Sequence, residues 1–392
     1  MEEMKILVCH NRYRSKFPSG ENRYVEDEIA LLRNAGIDVV SMTEESDSLN
    51  NGGPLHMANA ALGLMYSPTG VRRFQRLLRY ERPDVVHIHN VFPLISPAVI
   101  GAAKAACVPI VQRVHNYSRT CVNGLHFRDG HSCDDCVGLR IAYPAIMHGC
   151  FRESRPQSAA KVLSETMLRK TWRMMDKFLV FTPFAARRLL SAGIEQRQIA
   201  ILPAWSADPG ESTKPGEDFL FLGRLEEYKG INLLLDAWRS RSRRDSRRLR
   251  IVGTGPLEDQ IRSMVLKEDD VDYLGQLERS DVAHEIRRCG VLVVPSLVYE
   301  GFPLSVVEAL AHGRSVMVNS TTSFASALSD EFAWCIQPNI DSWRNSIDAI
   351  KREDVEARGM TARKYYIENC SPSAAIKSLV EIYEDVLTLA RS

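Results

Sequence analysis

Two glutamates stand eight positions apart in the stretch Tyr299-Glu300-Gly301-Phe302-Pro303-Leu304-Ser305-Val306-Val307-Glu308. The apolar run over 291–295 before them reads as a buried strand, and residues 304–312 as a short helix stopped by Gly313. A helix N-terminus at the carboxyl end of a parallel strand presents free amides to an anion such as a phosphate. A carboxylate beside that site is costly unless it meets hydroxyls or a developing positive charge. A sugar joined to a nucleoside diphosphate offers both. A purely local reading competes: Ser305-x-x-Glu308 has capping-box spacing, in which Glu308 serves only its own helix.

Cations suited to the same phosphates follow another apolar run. Residues 219–223 read as a strand leading into Arg224-Leu225-Glu226-Glu227-Tyr228-Lys229-Gly230. Arg offers a fork and Lys a point charge, so this short loop reads as a phosphate clamp. Ordinary surface charge is the alternative. Gly253 and Gly255 permit close backbone approach to a nucleotide, although a lone Gly-x-Gly is a weak signal. His115 ends a buried strand over 109–114, where open α/β sheets bind ligands; a histidine satisfied by a backbone carbonyl is the alternative. His87 and His89 share one face of a strand, but their sequence neighbourhood supplies no carboxylate or cysteine to complete a metal site.

Cysteine usage splits in two. Cys9, Cys107, Cys289, Cys335 and Cys370 are scattered and read as small buried side chains. Cys121, Cys133, Cys136 and Cys150 form C-x11-C-x2-C-x13-C, with His126, His131 and His148 interspersed. Four thiolates suit tetrahedral Zn²⁺ and would pin a long loop that lacks a core of its own. Free thiols, or a disulfide or redox role, are the alternatives, and disulfides are rare inside cells.

The elements that must position these groups fill 392 residues, enough for two or three domains. Hydrophobic residues make up 45% and charged residues 25%, as in ordinary globular proteins. A net charge of +1 gives no electrostatic case for nucleic acid. The seven arginines over 239–250 read as a solvated loop rather than a nucleic-acid site. No apolar run approaches the roughly 20 residues of a membrane helix. The acidic N-terminus runs straight into a strand, unlike a signal peptide, so a cytoplasmic location is the expectation. Strand, helix and strand over 5–41 make a Rossmann-like opening without a dinucleotide fingerprint. Residues 206–217 read as a linker. A basic amphipathic helix over 71–80 reads as a solvated face, or as a contact for anionic lipid at the inner face of the membrane. Helices are expected over 161–176 and beyond residue 341.

The EGFPL…EA setting of Glu300 and Glu308 resembles the Glu-x7-Glu motif of the retaining glycosyltransferases of family 4, which have the GT-B fold. Other segments agree in order: Gly223-Arg224 with Lys229-Gly230, the Gly-x-Gly-Pro at 253–256, the strand at 84–89 and His115. The likeness is strongest over 219–313 and weakest over 117–175. It implies an α/β GT-B architecture, two Rossmann-like parallel-sheet domains facing a central cleft. Residues 1–205 would form the acceptor-side domain, with its Cys-rich loop at 117–152 overhanging the acceptor. Residues 206–370 would bind the nucleotide-sugar, and 371–392 would cross back as a helix.

The resemblance also implies roles. Glu300 would attend the transferred sugar and Glu308 the ribose hydroxyls. Arg224 and Lys229 would hold the diphosphate, and the backbone at Phe302, Leu304 and Ser305 would touch sugar and phosphate. His115 would line the sugar pocket. Gly253, Gly255, Tyr273 and Leu274 would meet the nucleotide. Gly20 would stand where the family has a glycine pair, of which only this member is present. Such a site requires no catalytic metal, and zinc is expected only as a structural ion. The expected partners are a UDP- or GDP-sugar and a saccharide or lipid-linked acceptor, with peripheral membrane contact and no nucleic acid. A nucleotide-sugar 2-epimerase of this fold and a non-catalytic scaffold at the membrane surface are the rival readings.

Overall fold

The structure, a computed structural model, describes residues 4–13, 20–47, 66–242 and 245–391. The loop before Gly20 and most of the polar stretch over 44–60 lie outside the described residues.

The first sheet contains β1 (Lys5–Arg12), β2 (Asp38–Glu45), β3 (Val85–Ile88) and β4 (Ile110–Arg113). A small antiparallel hairpin follows, β5 (Phe127–Arg128) with β6 (His131–Ser132). β7 (Lys177–Val180) and β8 (Ile199–Ile201) complete the sheet in the order β2-β1-β3-β4-β7-β8. All its neighbours are parallel. Ile6, Leu7, Val8 and Cys9 are all buried, because helices cover both faces and alternation is lost.

The second sheet contains β9 (Phe219–Leu222), β10 (Leu249–Val252), β11 (Val271–Gly275), β12 (Val291–Val294), β13 (Ser315–Asn319) and β14 (Ala333–Ile336). Its order is β11-β10-β9-β12-β13-β14, the doubly wound arrangement whose switch point lies between β9 and β12. Phe219 stands opposite Val291 and Phe221 opposite Val293. β14 is an edge strand where the sequence reading passes directly to helices. Its four residues pair with β13 alone, too short a run to carry a pattern.

The helix Leu304–Ala311 buries Val306, Val307, Ala309, Leu310 and Ala311. Pro303 caps it without a side-chain bond, so Ser305 lies inside the first turn and the capping-box reading is not realised. Gly313, at φ +68, ends it. The helix expected over 161–176 runs instead from Arg155 to Trp172, started by the Ser154 hydroxyl and a proline in its first turn. The arginine run is not solvated as expected. Arg241 and Arg247 are buried, and Arg241, Arg247, Arg248 and Arg250 pair with Asp270, Asp245, Asp272 and Glu285.

Ser206 to Glu217 run between the sheets without helix or strand. The last helix, Pro372–Arg391, lies on the first domain. Ala375, Leu379, Tyr383 and Val386 recur at helical spacing, and Leu379, Tyr383 and Val386 pack with Ile6, Val8, Val25 and Leu32. A second apolar cluster joins Tyr24, Phe181 and Trp205 to Phe302, Val306 and Phe324, so the two domains share buried surface.

Candidate active site

Strand order brings the two suspected loops together. β9 delivers Arg224 and Lys229, and β12 delivers Glu300, at adjacent carboxyl ends. Lys229 Nζ donates to Glu300 Oε2 at 2.7 Å, with the side chains 22% and 13% exposed. The Ser296 hydroxyl donates to the other carboxylate oxygen. The Glu300 carbonyl accepts from the hydroxyls of Ser323 and Tyr117. Asn319, buried at the end of β13, donates to the carbonyls of Pro295 (2.6 Å) and Ser296 (3.0 Å) and accepts from Trp343 Nε1 (2.6 Å). The loop carrying Glu300 is therefore fixed from beneath. Sequence reasoning missed Ser296, Ser323 and Asn319; the only available signal was a polar residue closing the buried run at β13.

Two glycines make the approach of these loops sterically feasible. A Cβ at Gly230, whose φ is +73, would lie 2.0 Å from the Pro295 carbonyl oxygen. One at Gly253, at φ +136, would lie 1.9 Å from the Gly223 carbonyl oxygen. The Tyr273 hydroxyl donates to the Gly253 carbonyl at 2.9 Å. Gly255 packs against the Leu225 backbone, and Leu274 is half-buried beside the core. Phe302 is buried against Phe324, while Leu304 and Ser305 open the helix behind it. Arg224 pairs with Glu226 and is half exposed. Arg224 and Lys229 thus both meet carboxylates. Gly20 is exposed at the start of its helix, with open space around it.

Glu308 reaches the other domain. It pairs with Arg23, on the helix Gly20–Asn34. A second bridge, Arg279 to Asp27 at 3.6 Å, runs parallel. Beside them is a cavity of about 150 Å³ lined by Ser206, Asp208, Arg279, Ile286, Glu308 and His312, at the linker itself.

His115 faces Gly301 across the cleft: a Cβ there would lie 3.5 Å from its carbonyl oxygen and 3.3 Å from the Phe181 ring. Its Nε2 bonds His89 Nδ1 at 3.0 Å. His89 Nε2 and His87 Nδ1 lie 3.3 and 3.4 Å from Glu28 Oε1, and His87 Nδ1 meets the Tyr383 hydroxyl at 2.7 Å. The carboxylate absent from the local sequence is therefore supplied by Glu28, one helix away. Among the described residues, Glu28, His87 and His89 alone bring three ligand-type atoms within 4.8 Å of one another. A cation fits them poorly. The buried Arg113 guanidinium lies 3.4 Å from the second Glu28 oxygen, and the two imidazoles stack at an interplanar angle of 25°. Burial, with His89 and Arg113 nearby, holds His115 well below the usual histidine range, and burial likewise depresses His89. Burial lowers His87 to about 3. The three histidines are therefore neutral near pH 7 and form a buried brace, His115 hydrogen-bonded to His89, His89 stacked on His87 and His87 hydrogen-bonded to Tyr383.

Cys121, Cys133, Cys136 and Cys150 form no disulfide and line one small cavity. His126 borders it but bonds the Thr120 hydroxyl and the Cys133 carbonyl, and His131 bonds the Asp129 carbonyl at the surface.

The family model for glycosyl transferases group 1 matches residues 206–369, and that for the glycosyl transferase 4-like domain matches 19–205. A phosphatidyl-myo-inositol mannosyltransferase of Mycobacterium tuberculosis is 33% identical over 339 residues, 83% of this chain and 79% of the relative. The chain belongs to the group 1 glycosyltransferases. The Mycobacterium leprae protein of the same name is 25% identical over 97% of this chain and 96% of its own. Among solved structures, sucrose-phosphate synthase from Thermosynechococcus elongatus superimposes with a TM-score of 0.71 at 16% identity, covering 98% and 100% of the two chains. Anabaena Alr3699/HepE, in complex with UDP and glucose, gives 0.65 at 14% identity, covering 97% and 100%. The glycosyltransferase has the GT-B fold, with Lys229 and Glu300 in contact on the second domain and the His115 carbonyl beside Gly301 from the first. Among its described residues no helix is long and apolar enough to cross a membrane.

Proposed function

We propose that this glycosyltransferase moves a sugar from a nucleoside-diphosphate donor to a lipid-linked or saccharide acceptor, with retention at the anomeric carbon. The observation that carries the reading is the Lys229–Glu300 contact at the switch point, beside the first turn of the helix Leu304–Ala311. A cation, a carboxylate and free amides converge where a sugar diphosphate needs them. Lys229, Arg224 and the helix N-terminus take up charge as the diphosphate leaves. Glu300 accepts a hydroxyl of the sugar and faces the positive charge that develops at its anomeric carbon. Glu308 exchanges Arg23 for ribose hydroxyls in the cavity at the linker. His115, neutral, hydrogen-bonds the sugar from the opposite wall. These groups supply positive charge without a catalytic divalent cation.

The names of the relatives support a mannosyl donor and an inositol-phospholipid acceptor, and the UDP and glucose of Alr3699/HepE support a nucleotide-sugar site. The helix Pro68–Glu81 buries Val71, Phe74 and Leu78 and exposes Arg72, Arg76 and Arg79, a face suited to anionic lipid. The test is thermal-shift screening against UDP-, GDP- and ADP-sugars, since a donor stabilises in proportion to its occupancy. Incubation with the stabilising donor, with and without phosphatidylinositol vesicles, then follows. Release of nucleoside diphosphate with an α-glycoside from an α-donor is expected. A free sugar epimer formed without acceptor, or no turnover with any donor, would overturn the reading.

A further inference from the structure

The segment between Asn116 and Arg155 has little to hold it together. Its strands β5 and β6 are two residues each, and it gives two buried members, Val122 and Ala145, to a satellite core completed by Val162 of the next helix. Left-handed backbone recurs at His126, Asp129, Arg152 and Glu153, conformations that non-glycine residues adopt only when something fixes them. Yet the segment is packed against the second domain at its most sensitive point. The Ser132 hydroxyl donates to the Leu297 carbonyl at 2.9 Å. The His126 ring meets Tyr299 at 5.7 Å between centroids, and Phe127 meets Tyr228 at 6.3 Å. Tyr299 precedes Glu300, and Tyr228 precedes Lys229. A segment with almost no core therefore touches the neighbours of both members of the central ion pair.

What could fix it lies directly behind the contact. Cys133 follows Ser132 in the chain. Cys121, Cys133, Cys136 and Cys150, distant by up to 29 positions, all border a single cavity of about 10 Å³, with no three of their sulfurs within 4.8 Å of one another, so an ion there must draw them together. His126 is committed to Thr120 and Cys133, so the four sulfurs are the donor set. Four sulfurs and no open position match a structural rather than a catalytic zinc. Arg128 also lines the cavity, already paired with Asp129 and Asp135.

We propose that Cys121, Cys133, Cys136 and Cys150 bind one structural Zn²⁺, and that the ion makes this segment a clasp across the cleft. Binding draws in the four sulfurs, deprotonates them and releases the bond from Cys121 Sγ to Asn123 Oδ1. The ordered hairpin then presents Phe127 and Ser132 to Tyr228 and Leu297 and sets how closely the first domain sits over Lys229 and Glu300. The zinc site stands on the cavity alone; the clasp rests on the donor site proposed above.

The full-length chain, purified without chelator and with any metal-affinity tag removed, is analysed by mass spectrometry for metals. One zinc per chain is expected, lost in Cys133→Ser and Cys136→Ser. Exchange into cobalt should give an intense thiolate-to-cobalt charge-transfer band. Absence of both stoichiometric zinc and the cobalt band, or an iron chromophore in its place, overturns the site. Phe127→Ala and Ser132→Ala test the clasp with the cysteines intact. They should retain zinc and weaken binding of the stabilising nucleotide-sugar several-fold by calorimetry. Full zinc with unchanged donor affinity in both variants overturns the clasp. A chain that holds zinc but binds no nucleotide-sugar sinks the donor-site reading and leaves the metal site standing.

Discussion

Glu300 is held from both sides, and that sets what its neighbours are worth. Lys229 neutralises one oxygen, Ser296 binds the other, and little solvent reaches either. Lys229→Met removes a cation from the proposed leaving group and leaves the carboxylate half-satisfied. Turnover should fall on the order of 10²–10³-fold, as for loss of one oxyanion donor, and steady-state kinetics with the identified donor measure it. Glu300→Gln keeps the shape and loses the charge; its turnover should fall while donor affinity, read by calorimetry, stays within a few-fold.

The histidine brace gives a pH prediction. His87, His89 and His115 are all depressed by burial, His87 to about 3. Above the unfolded histidine value near 6.5 both states are neutral, and these groups leave stability unchanged. As pH falls below it, the unfolded chain takes up protons that the folded chain refuses, so stability drops. Each such histidine contributes a slope of about 1.4 kcal/mol per pH unit until its folded value is reached. Denaturant midpoints should fall from pH 6.5 toward pH 5. A flat profile across that window would show that the brace is charged or solvated.

At the scale of elements, the site depends on backbones that touch. Gly253 combines a left-handed φ with contact on Gly223, and the loop after β10 thereby reaches the loop after β9. Gly253→Ala must move one of them. Strain of this kind costs about 1–3 kcal/mol, and here a clash with main chain adds to it. A melting temperature several degrees lower and loss of nucleotide-sugar binding are expected together. A variant that loses binding with an unchanged melting temperature would place the effect in the ligand contact alone. Ser305-x-x-Glu308 satisfies the spacing rule for a cap, but Pro303 already starts the helix, and Glu308 turns outward to Arg23.

At the scale of the molecule, the last helix fastens the second domain to the first. Leu379 is fully buried beside β1, and Tyr383 bonds His87, the far end of the brace that reaches His115. Leu379→Ala should cost about 2–5 kcal/mol, the range for a buried leucine, and should shift the unfolding of the first domain although the residue belongs to the last 20 positions. Tyr383→Phe should cost less, about 1–3 kcal/mol for the partner left unpaired. Melts followed by tryptophan fluorescence and calorimetry would read both. Melting of the first domain unaffected by Leu379→Ala would mean the helix is only laid on the surface.

The sequence by itself marked most strands, because strands buried on both faces leave continuous apolar runs, and the resemblance carried by its motifs implied their division into two parallel-sheet domains. It determined the Glu300–Glu308 stretch and the Arg224–Lys229 loop for the same local reason: a strand, a tight loop and a helix start are written in consecutive residues. Tertiary structure decided which of these meet. β9 and β12 are neighbours only because the chain returns to pair them after some 70 residues, and that pairing brings Lys229 to Glu300. Glu28 beside His87 and His89, Arg23 on Glu308, and Tyr383 beneath the brace depend on helices folding over sheets from distant positions. Periodicity fixes which face of an element is buried. It carries no information about which other element covers that face, because any apolar surface of the right shape satisfies it.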